Sequence, residues 1–399
     1  MPRKRNIQSG SSVFQTAGRN VRLVLYVFFV ILLLCGRNAY AQVPDSVSED
    51  YVIASLIVAD PGDVLYSRVG HVALHMQCPT HNLDYVFSYE AEPVKGQVVR
   101  FLAGNLKMGL FAIPLQEYLD IYRPEGRGVR EYQLNLPIAV KQNLWRILDN
   151  HLMEGTNLPY DYLQRGCAHS TLMMLKEGLD TIPIQYGEWP ETFKLSRREL
   201  TGLQLKSSSW TWCFLNLICN GAIDSDCSKE EKIIMPADLV EVLSHAQVCG
   251  QPFIEEEPAV LLEGSHQFSN TWCSPLCVAV LLLALTLVAV LMKKQWMDYV
   301  LLTIQTLLGL LTVYLVALSD LCCTEWSWLI IPLNPLPLIF WKWRRYWALP
   351  YAVALAVWSI VMIVYPHQLT DPTYIILTLA LIVSYCGMYR RNRQSRQIR

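Results

Sequence analysis

Val69-Gly70-His71-Val72-Ala73-Leu74-His75 alternates as a strand, and Gly166-Cys167-Ala168-His169-Ser170-Thr171, far along the chain, opens a helix. Residues two apart on a strand share a face, so His71, Ala73 and His75 point one way and Val72, Leu74 and Met76 the other. On a strand the two histidines stand about 13 Å apart, from about 3.3 Å per residue, so they cannot share a metal and no metal site is expected. Gly70 permits close approach of another backbone or of a substrate. Cys167, in the first turn of its helix, meets unpaired backbone N–H groups and the positive end of the dipole. Both lower a thiol pKa, and the thiolate is the nucleophilic form. The same N–H groups can hold the oxyanion of a tetrahedral intermediate. Leu172, Leu175 and Leu179 recur at helical spacing and bury the far side. His169 is a rival base for Cys167. Two residues along a helix, however, turn it about 200° away, which favours His71 across the fold.

Outward from these two segments the pattern is that of an α+β domain. Tyr51 to Ala59 is apolar and β-branched, and Pro61-Gly62-Asp63 ends it. Leu83 to Tyr89 reads as the strand after the histidine strand, with Pro79-Thr80-His81-Asn82 as the hairpin turn. Gly128 to Leu136 alternates again, and Ala139 to Met153 has helical periodicity. Residues 98–110 and 180–271 show no clear period. A third polar group should orient His71 and fix its tautomer. Asp84 and Ser88 share one face of the neighbouring strand and Tyr89 lies on the other, so Asp84 and Ser88 both stand as candidates. Tyr160, Asp161 and Arg165 precede Cys167 and either line an acyl or headgroup pocket or pack at the surface.

The chain is 399 residues long and 52% hydrophobic, an excess for one soluble domain. The excess sits at the start and in the last third. Net charge is −1, so no overall field favours nucleic acid and none is expected as a partner. Residues 1–41 read as a secretion signal: basic residues through Arg22, an apolar run from Leu23 to Cys35, and Ala39-Tyr40-Ala41 as the cleavage site. An uncleaved anchor is the alternative. Either way residues 42–271 lie outside the cytoplasm. Four of the cysteines there, Cys213, Cys219, Cys227 and Cys249, are placed where one or two disulfides are permitted. Residues 272–389 read as five spans: Ser274–Met292, Met297–Ser319, a short Leu329–Phe340 broken by Pro332, Pro335 and Pro337, Trp347–Tyr365, and Tyr374–Met388. The basic clusters then share one side, which predicts a cytoplasmic tail at 390–399. Trp326, Trp328, Trp341, Trp343 and Trp347 bracket the third span. They either anchor it in the headgroup layer or rim a path for a lipid tail.

Tyr66-Ser67-x-x-Gly70-His71-x-Ala73-Leu74, Val86-Phe87-x-Tyr89, and Tyr160-x-Tyr162 running into Cys167 resemble the periplasmic domain of the Lnb family, the lipoprotein N-acyltransferases of Bacteroidota. The order of histidine strand before cysteine helix is similar to circularly permuted, NlpC/P60-type papain-like folds. The chain departs from the family pattern around the cysteine, where it carries Gly166, Ala168 and His169. The resemblance implies a papain-like domain followed by an all-α transmembrane bundle in the bacterial inner membrane, with the catalytic domain facing the periplasm. It also implies acyl transfer from a phospholipid, through a thioester on Cys167, to the N-terminal amine of diacylglyceryl-cysteine lipoproteins, with no cofactor. A periplasmic thiol peptidase or amidase, or a non-enzymatic membrane assembly factor, are the alternatives.

Overall fold

The computed structural model describes residues 52–397 apart from 64–66, 156, 162, 164, 206–208, 220, 256, 267–272, 322, 323, 325 and 366–370. The expected signal segment, residues 1–41, lies outside the described residues. An apolar run makes β1 (Ile53–Ala59), and apolar residues alternating with polar or small ones make β2 (His71–Cys78) and β3 (Leu83–Ala91). The turn between the last two is one 3-10 turn at Pro79–His81, closed by Asn82 at φ 53°. The stretch without clear periodicity resolves into α1 (Val98–Leu102), β4 (Lys107–Pro114) and α2 (Leu115–Tyr122). Then follow β5 (Val129–Gln133), α3 (Ile138–Glu154), β6 (Leu158–Pro159) and α4 (Cys167–Leu179). Beyond them come α5 (Arg197–Gln204), α6 (Ser209–Ile218), α7 (Pro236–Ser244), a small ribbon of β7 (Gln247–Val248) and β8 (Gln251–Pro252), and β9 (Ala259–Leu262).

The main sheet has seven strands in the order β6-β4-β3-β2-β1-β5-β9. Every neighbouring pair is antiparallel. β2 is interior, which explains why its residues are buried on both faces. On one face Leu56, Leu74 and Phe87 pack with Leu144 and Leu148 of α3 and Leu172 and Leu175 of α4. Each such leucine, fully buried, contributes about 1.5–3 kcal/mol. On the other face Ile57, Ala73 and Val86 meet Tyr118, Leu119 and Tyr122 of α2. This mixed, antiparallel α+β domain precedes an apolar helical region, the expected fold class. Among the described residues no cysteine is disulfide-bonded. Cys213, Cys219, Cys227 and Cys249 are all free thiols, contrary to the expected bridges.

The apolar region comprises α8 (Pro275–Leu291), α9 (Trp296–Leu318), the four-residue α10 (Leu336–Ile339), α11 (Arg344–Val364) and α12 (Pro372–Gln397). Three segments, Trp296–Leu318, Trp341–Val364 and Pro372–Gln394, are long and apolar enough to cross a membrane, and α8 is a shorter apolar helix. At 17 residues α8 is about 26 Å long, close to the thickness of a bilayer core. Leucine, valine and isoleucine side chains on α8, α9 and α11 stand exposed, as lipid-facing residues do.

The segment expected as the third span is not a continuous helix. It runs as a 3-10 turn at Trp328–Ile330, then α10, then a second turn at Trp341–Trp343. Pro332, Pro335 and Pro337 remove the N–H donors a helix would need. Its contacts trace a path along the bundle. The Gly221 N–H of the sheet domain donates to the Trp326 carbonyl at 3.0 Å. Gln305, midway along α9, donates to the Pro332 carbonyl at 2.7 Å. Trp341 stacks against Tyr299, at the end of α9 farthest from the sheet domain. Tyr351 donates to the Ile331 carbonyl at 2.7 Å, and Asn334 donates to Tyr351 at 2.8 Å. Irregular backbone at this depth needs such partners, because lipid offers none.

Candidate active site

His71 is the first residue of β2, and the chain reaches it through Gly70 at φ +80°. A Cβ at Gly70 would stand 2.7 Å from the Ala59 carbonyl, so only glycine admits this entry into the strand. Cys167 is the first residue of α4. Its N-cap, Gly166, is extended and offers no side chain to the helix. The first-turn N–H groups are therefore left without a capping side chain beside the sulfur. His71 shares a face with Ala73, the face covered by α2, whereas α4 covers the opposite face. The two side chains meet because each stands at the very end of its element.

The Cys167 thiol and the His71 imidazole are hydrogen-bonded, and the backbone N–H of Val72 also donates to the sulfur. His71 Nε2 lies 2.7 Å from Ser88 Oγ and 3.1 Å from Glu90 Oε1. The Ser88 hydroxyl donates to Glu90 Oε1 at 2.7 Å. Because the Ser88 proton is committed to Glu90, its oxygen accepts from Nε2–H, which leaves Nδ1 to face the sulfur. Burial opposes a charged imidazole, but Glu90, Tyr122 and Cys167 outweigh it and hold His71 well above the usual histidine range. Burial also pushes the Cys167 thiol up, yet the charge and hydrogen bond of His71, with the Val72 N–H, bring it below its ordinary value. Glu90 is opposed by burial too, and His71, Ser88 and Arg127 together lower its carboxyl to about 2. All three shifts run the same way, favouring a thiolate, an imidazolium and a carboxylate over the neutral forms.

Of the expected third groups, Ser88 is at the imidazole and Asp84 is not. Asp84 accepts from His75 Nε2 at 2.6 Å, while Glu131 takes His75 Nδ1 at 2.6 Å. That imidazole is 1% exposed and is clamped between two carboxylates. The strand register decides the difference. Leu74 pairs with Phe87 and Gln77 with Asp84, so the continued ladder sets His71 opposite Glu90. Glu90 lies one residue past the strand expected from sequence, which ends at Tyr89, and extending the alternation one step beyond Ser88 finds it. Tyr89 is buried in the main core on the other face, and Tyr160 packs half-buried against the same core. Asp161 Oδ1 accepts the Leu163 N–H at 2.8 Å, and Arg165 donates to the Pro159 carbonyl at 2.9 Å. These residues shape the approach to α4. His169 looks toward Glu230 and Glu231, away from the thiol, and burial pulls its pKa down.

Val69, two residues before His71, and Leu163, four before Cys167, belong to one apolar cluster with Leu311, Tyr314 and Leu315 of α9. The segments that lead into His71 and Cys167 thus both pack against α9.

A family model of the Lnb N-terminal periplasmic domain matches residues 39–195. One of the Lnb transmembrane domain matches residues 267–395. No curated protein and no solved structure matches the chain.

Proposed function

The chain belongs to the Lnb family, as an inner-membrane protein with a periplasmic domain that serves lipoprotein maturation, and on that premise we propose a two-step acyl transfer through Cys167. In the first step the Cys167 thiolate attacks the ester carbonyl of a phospholipid. A sulfur–carbon bond forms, the carbon–oxygen ester bond breaks, and the imidazolium of His71 protonates the departing lysophospholipid alkoxide. The Val72 N–H and the uncapped first turn of α4 are the donors available to the tetrahedral oxyanion. In the second step the free α-amine of a diacylglyceryl-cysteine lipoprotein attacks the thioester. A carbon–nitrogen bond forms, the carbon–sulfur bond breaks, His71 takes the amine proton, and the thiolate–imidazolium pair is restored. No cofactor enters either step.

The observation that carries this reading is the dyad of His71 and Cys167, whose shifts favour the thiolate and whose leading segments pack against α9. Both substrates are lipids, and a site beside the apolar helices meets their ester and amine ends. The same reading puts residues 42–271 in the periplasm and residues 272–389 in the bilayer as five passes, the third of them the broken segment. Residues 390–399 then lie on the cytoplasmic side, where their arginines accord with the positive-inside rule. Ser88 and Glu90 orient and charge His71 in this scheme.

Mass spectrometry of lipoprotein N-termini from cells carrying Cys167→Ser, beside wild type, tests it. Loss of the N-linked acyl chain with retention of the diacylglyceryl group is the expected result. Unchanged lipoproteins with altered wall peptides would move the chemistry to hydrolysis of peptide bonds. A trapped acyl group on Cys167 separates the thioester route from direct transfer.

A further inference from the structure

Beside the dyad, on the α2 face of the sheet, lies a fixed positive charge that the acyl-transfer chemistry does not use. Arg127 precedes β5, and its side chain is only 6% exposed. Its Nε donates to the Asp60 carbonyl at 2.6 Å. Its guanidinium lies over the Tyr122 ring, 4.6 Å from the centroid. Nη1 reaches Glu125 at a loose 3.4 Å. Nη2 is buried and has no hydrogen-bond partner. A buried, unspent guanidinium donor is costly, and folded proteins rarely leave one without a reason.

The ladder ties this group to the catalytic end of the sheet: Ala59 pairs with both His71 and Val129, and Arg127 bonds to the carbonyl of the next residue, Asp60. The charge of Arg127 also favours the Glu90 carboxylate. Tyr122 donates to Tyr118 at 3.1 Å, which fixes the ring beneath the guanidinium. The turn at Asp60–Asp63 wraps the stem closely: a Cβ on Gly62 would come within 3.0 Å of Arg127 Cδ. The stem is therefore held in place, and the guanidinium stays at this end of the sheet. The carboxylates nearest it are otherwise engaged or only weakly held, Glu90 by His71 and Ser88, and Glu125 at the long distance above.

We propose that Arg127 Nη2 is an anchor for the phosphodiester of the acyl donor, holding the glycerol backbone so that its ester lies at Cys167. The inference rests on the acyl-transfer reading above. Guanidinium is the side chain best matched to phosphate oxygens, because its forked donors meet two of them at once. In a phospholipid the phosphate and the acyl esters hang from the same three-carbon glycerol, so an anchor beside the dyad sets which ester faces the sulfur. Glu90 does not repel the phosphate, because the imidazolium of His71 neutralises it.

The test uses the full chain in nanodiscs, with intact mass reading the rate at which Cys167 becomes acylated. The two donors are phosphatidylethanolamine and a diacylglycerol with the same chains, which carries the same esters but no phosphate. Arg127→Gln is expected to lower the ratio of the phospholipid rate to the diacylglycerol rate at least tenfold. Arg127→Lys, which keeps the charge and loses the fork, is expected to fall between. A ratio that does not move, whether both rates fall in step or neither changes, overturns the anchor and leaves Arg127 a structural residue. Wild-type protein that is acylated by neither lipid overturns the acyl-enzyme reading itself, and the anchor with it.

Discussion

Glu90→Gln should narrow the pH range in which Cys167 is reactive, and it should do so from the alkaline side. In the wild type the thiolate–imidazolium pair exists between the depressed pKa of Cys167 and the raised pKa of His71. Glu90 is the largest attraction holding the imidazolium, and its own carboxyl titrates at about 2 rather than 4.5. At about 1.4 kcal/mol per tenfold, the whole gap corresponds to about 3 kcal/mol of interaction. The Glu90 side chain is 47% exposed, however, so solvent screens it. A discounted value of about 1–2 kcal/mol is the sound expectation. Glutamine keeps the hydrogen-bonding shape and loses the charge. Loss of that attraction lowers the His71 pKa by about one unit, since about 1.4 kcal/mol is one pKa unit. Cys167 loses a repulsive neighbour, so the acid limb shifts slightly downward as well. The assay is the rate of Cys167 alkylation by iodoacetate, whose carboxylate is drawn by the imidazolium so that the rate falls when His71 loses its proton. It is read against pH on the Cys167 peptide by mass spectrometry because other free thiols are present. The alkaline limb should fall about one pH unit earlier in the variant. An alkaline limb that stays in place, with the protein folded, would show that Glu90 does not set the charge of His71.

His75 should act on stability rather than on chemistry. Burial lowers its pKa, but the hydrogen bonds it donates to Glu131 and Asp84 raise it above the usual histidine value. Its contribution is therefore complete below the unfolded histidine value of about 6.5 and is lost as pH rises through the higher folded value. His75→Gln should cost about 3 kcal/mol at pH 6, the low end for breaking a buried pair because Asp84 is half exposed. The gap should shrink as the pH is raised, in thermal melts of the detergent-solubilised chain. A gap that widens with pH would reverse the assignment. Gly309→Val should abolish accumulation of the folded protein, because a Cβ there would stand 2.5 Å from the Asn334 backbone. Fluorescence-detected size exclusion reads that directly, and a monodisperse variant at wild-type yield would show that α9 and the broken segment do not pack as described.

The fold and the dyad were legible where periodicity was strong. β1, β2, β3, α3 and α4 have apolar residues at clean two- or 3.6-residue spacing, and each forms close to its expected place. Cys167 and His71 could be paired because a helix N-terminus and a strand face are local properties. Register is not local. Asp84, Ser88 and Glu90 all lie on one face of β3, and alternation alone cannot say which of them stands opposite His71. The ladder gives that place to Glu90 and sends Asp84 to His75. β4 and α2 were hidden for another reason. Lys107 to Pro114 sits near the sheet edge and is only partly buried, so its pattern is blurred. The segment expected as the third span was legible as a proline-broken stretch; that it runs unwound was not, because the polar groups that support it lie on other helices.

Under the proposed acyl transfer, the contacts between the sheet domain and the helices bear on how the protein meets its lipids. Domains joined by small or polar contacts swing relative to one another, and only extensive apolar contact suppresses that motion. Here the sheet domain is tied to the helices through the cluster of Val69, Leu163, Phe101 and Leu102 with Leu311, Tyr314 and Leu315. Separate hydrogen bonds add to it. Ser319 donates to the Leu102 carbonyl at 2.6 Å, Tyr374 to the Cys213 carbonyl at 2.7 Å, and Trp210 to the Cys273 carbonyl at 2.7 Å. They engage three different helices of the bundle or its entry, so no single hinge could release them together. Contacts at several points oppose a swing of the sheet domain toward the bilayer. Under the proposed acyl transfer the ester of the donor then rises to the sulfur, and its exit from the bilayer is offset by contacts made at the site. A charge anchored beside the dyad supplies such a contact only on arrival of the headgroup, which is why the donor's phosphate, rather than its acyl chain, is the part whose removal should slow the first step most.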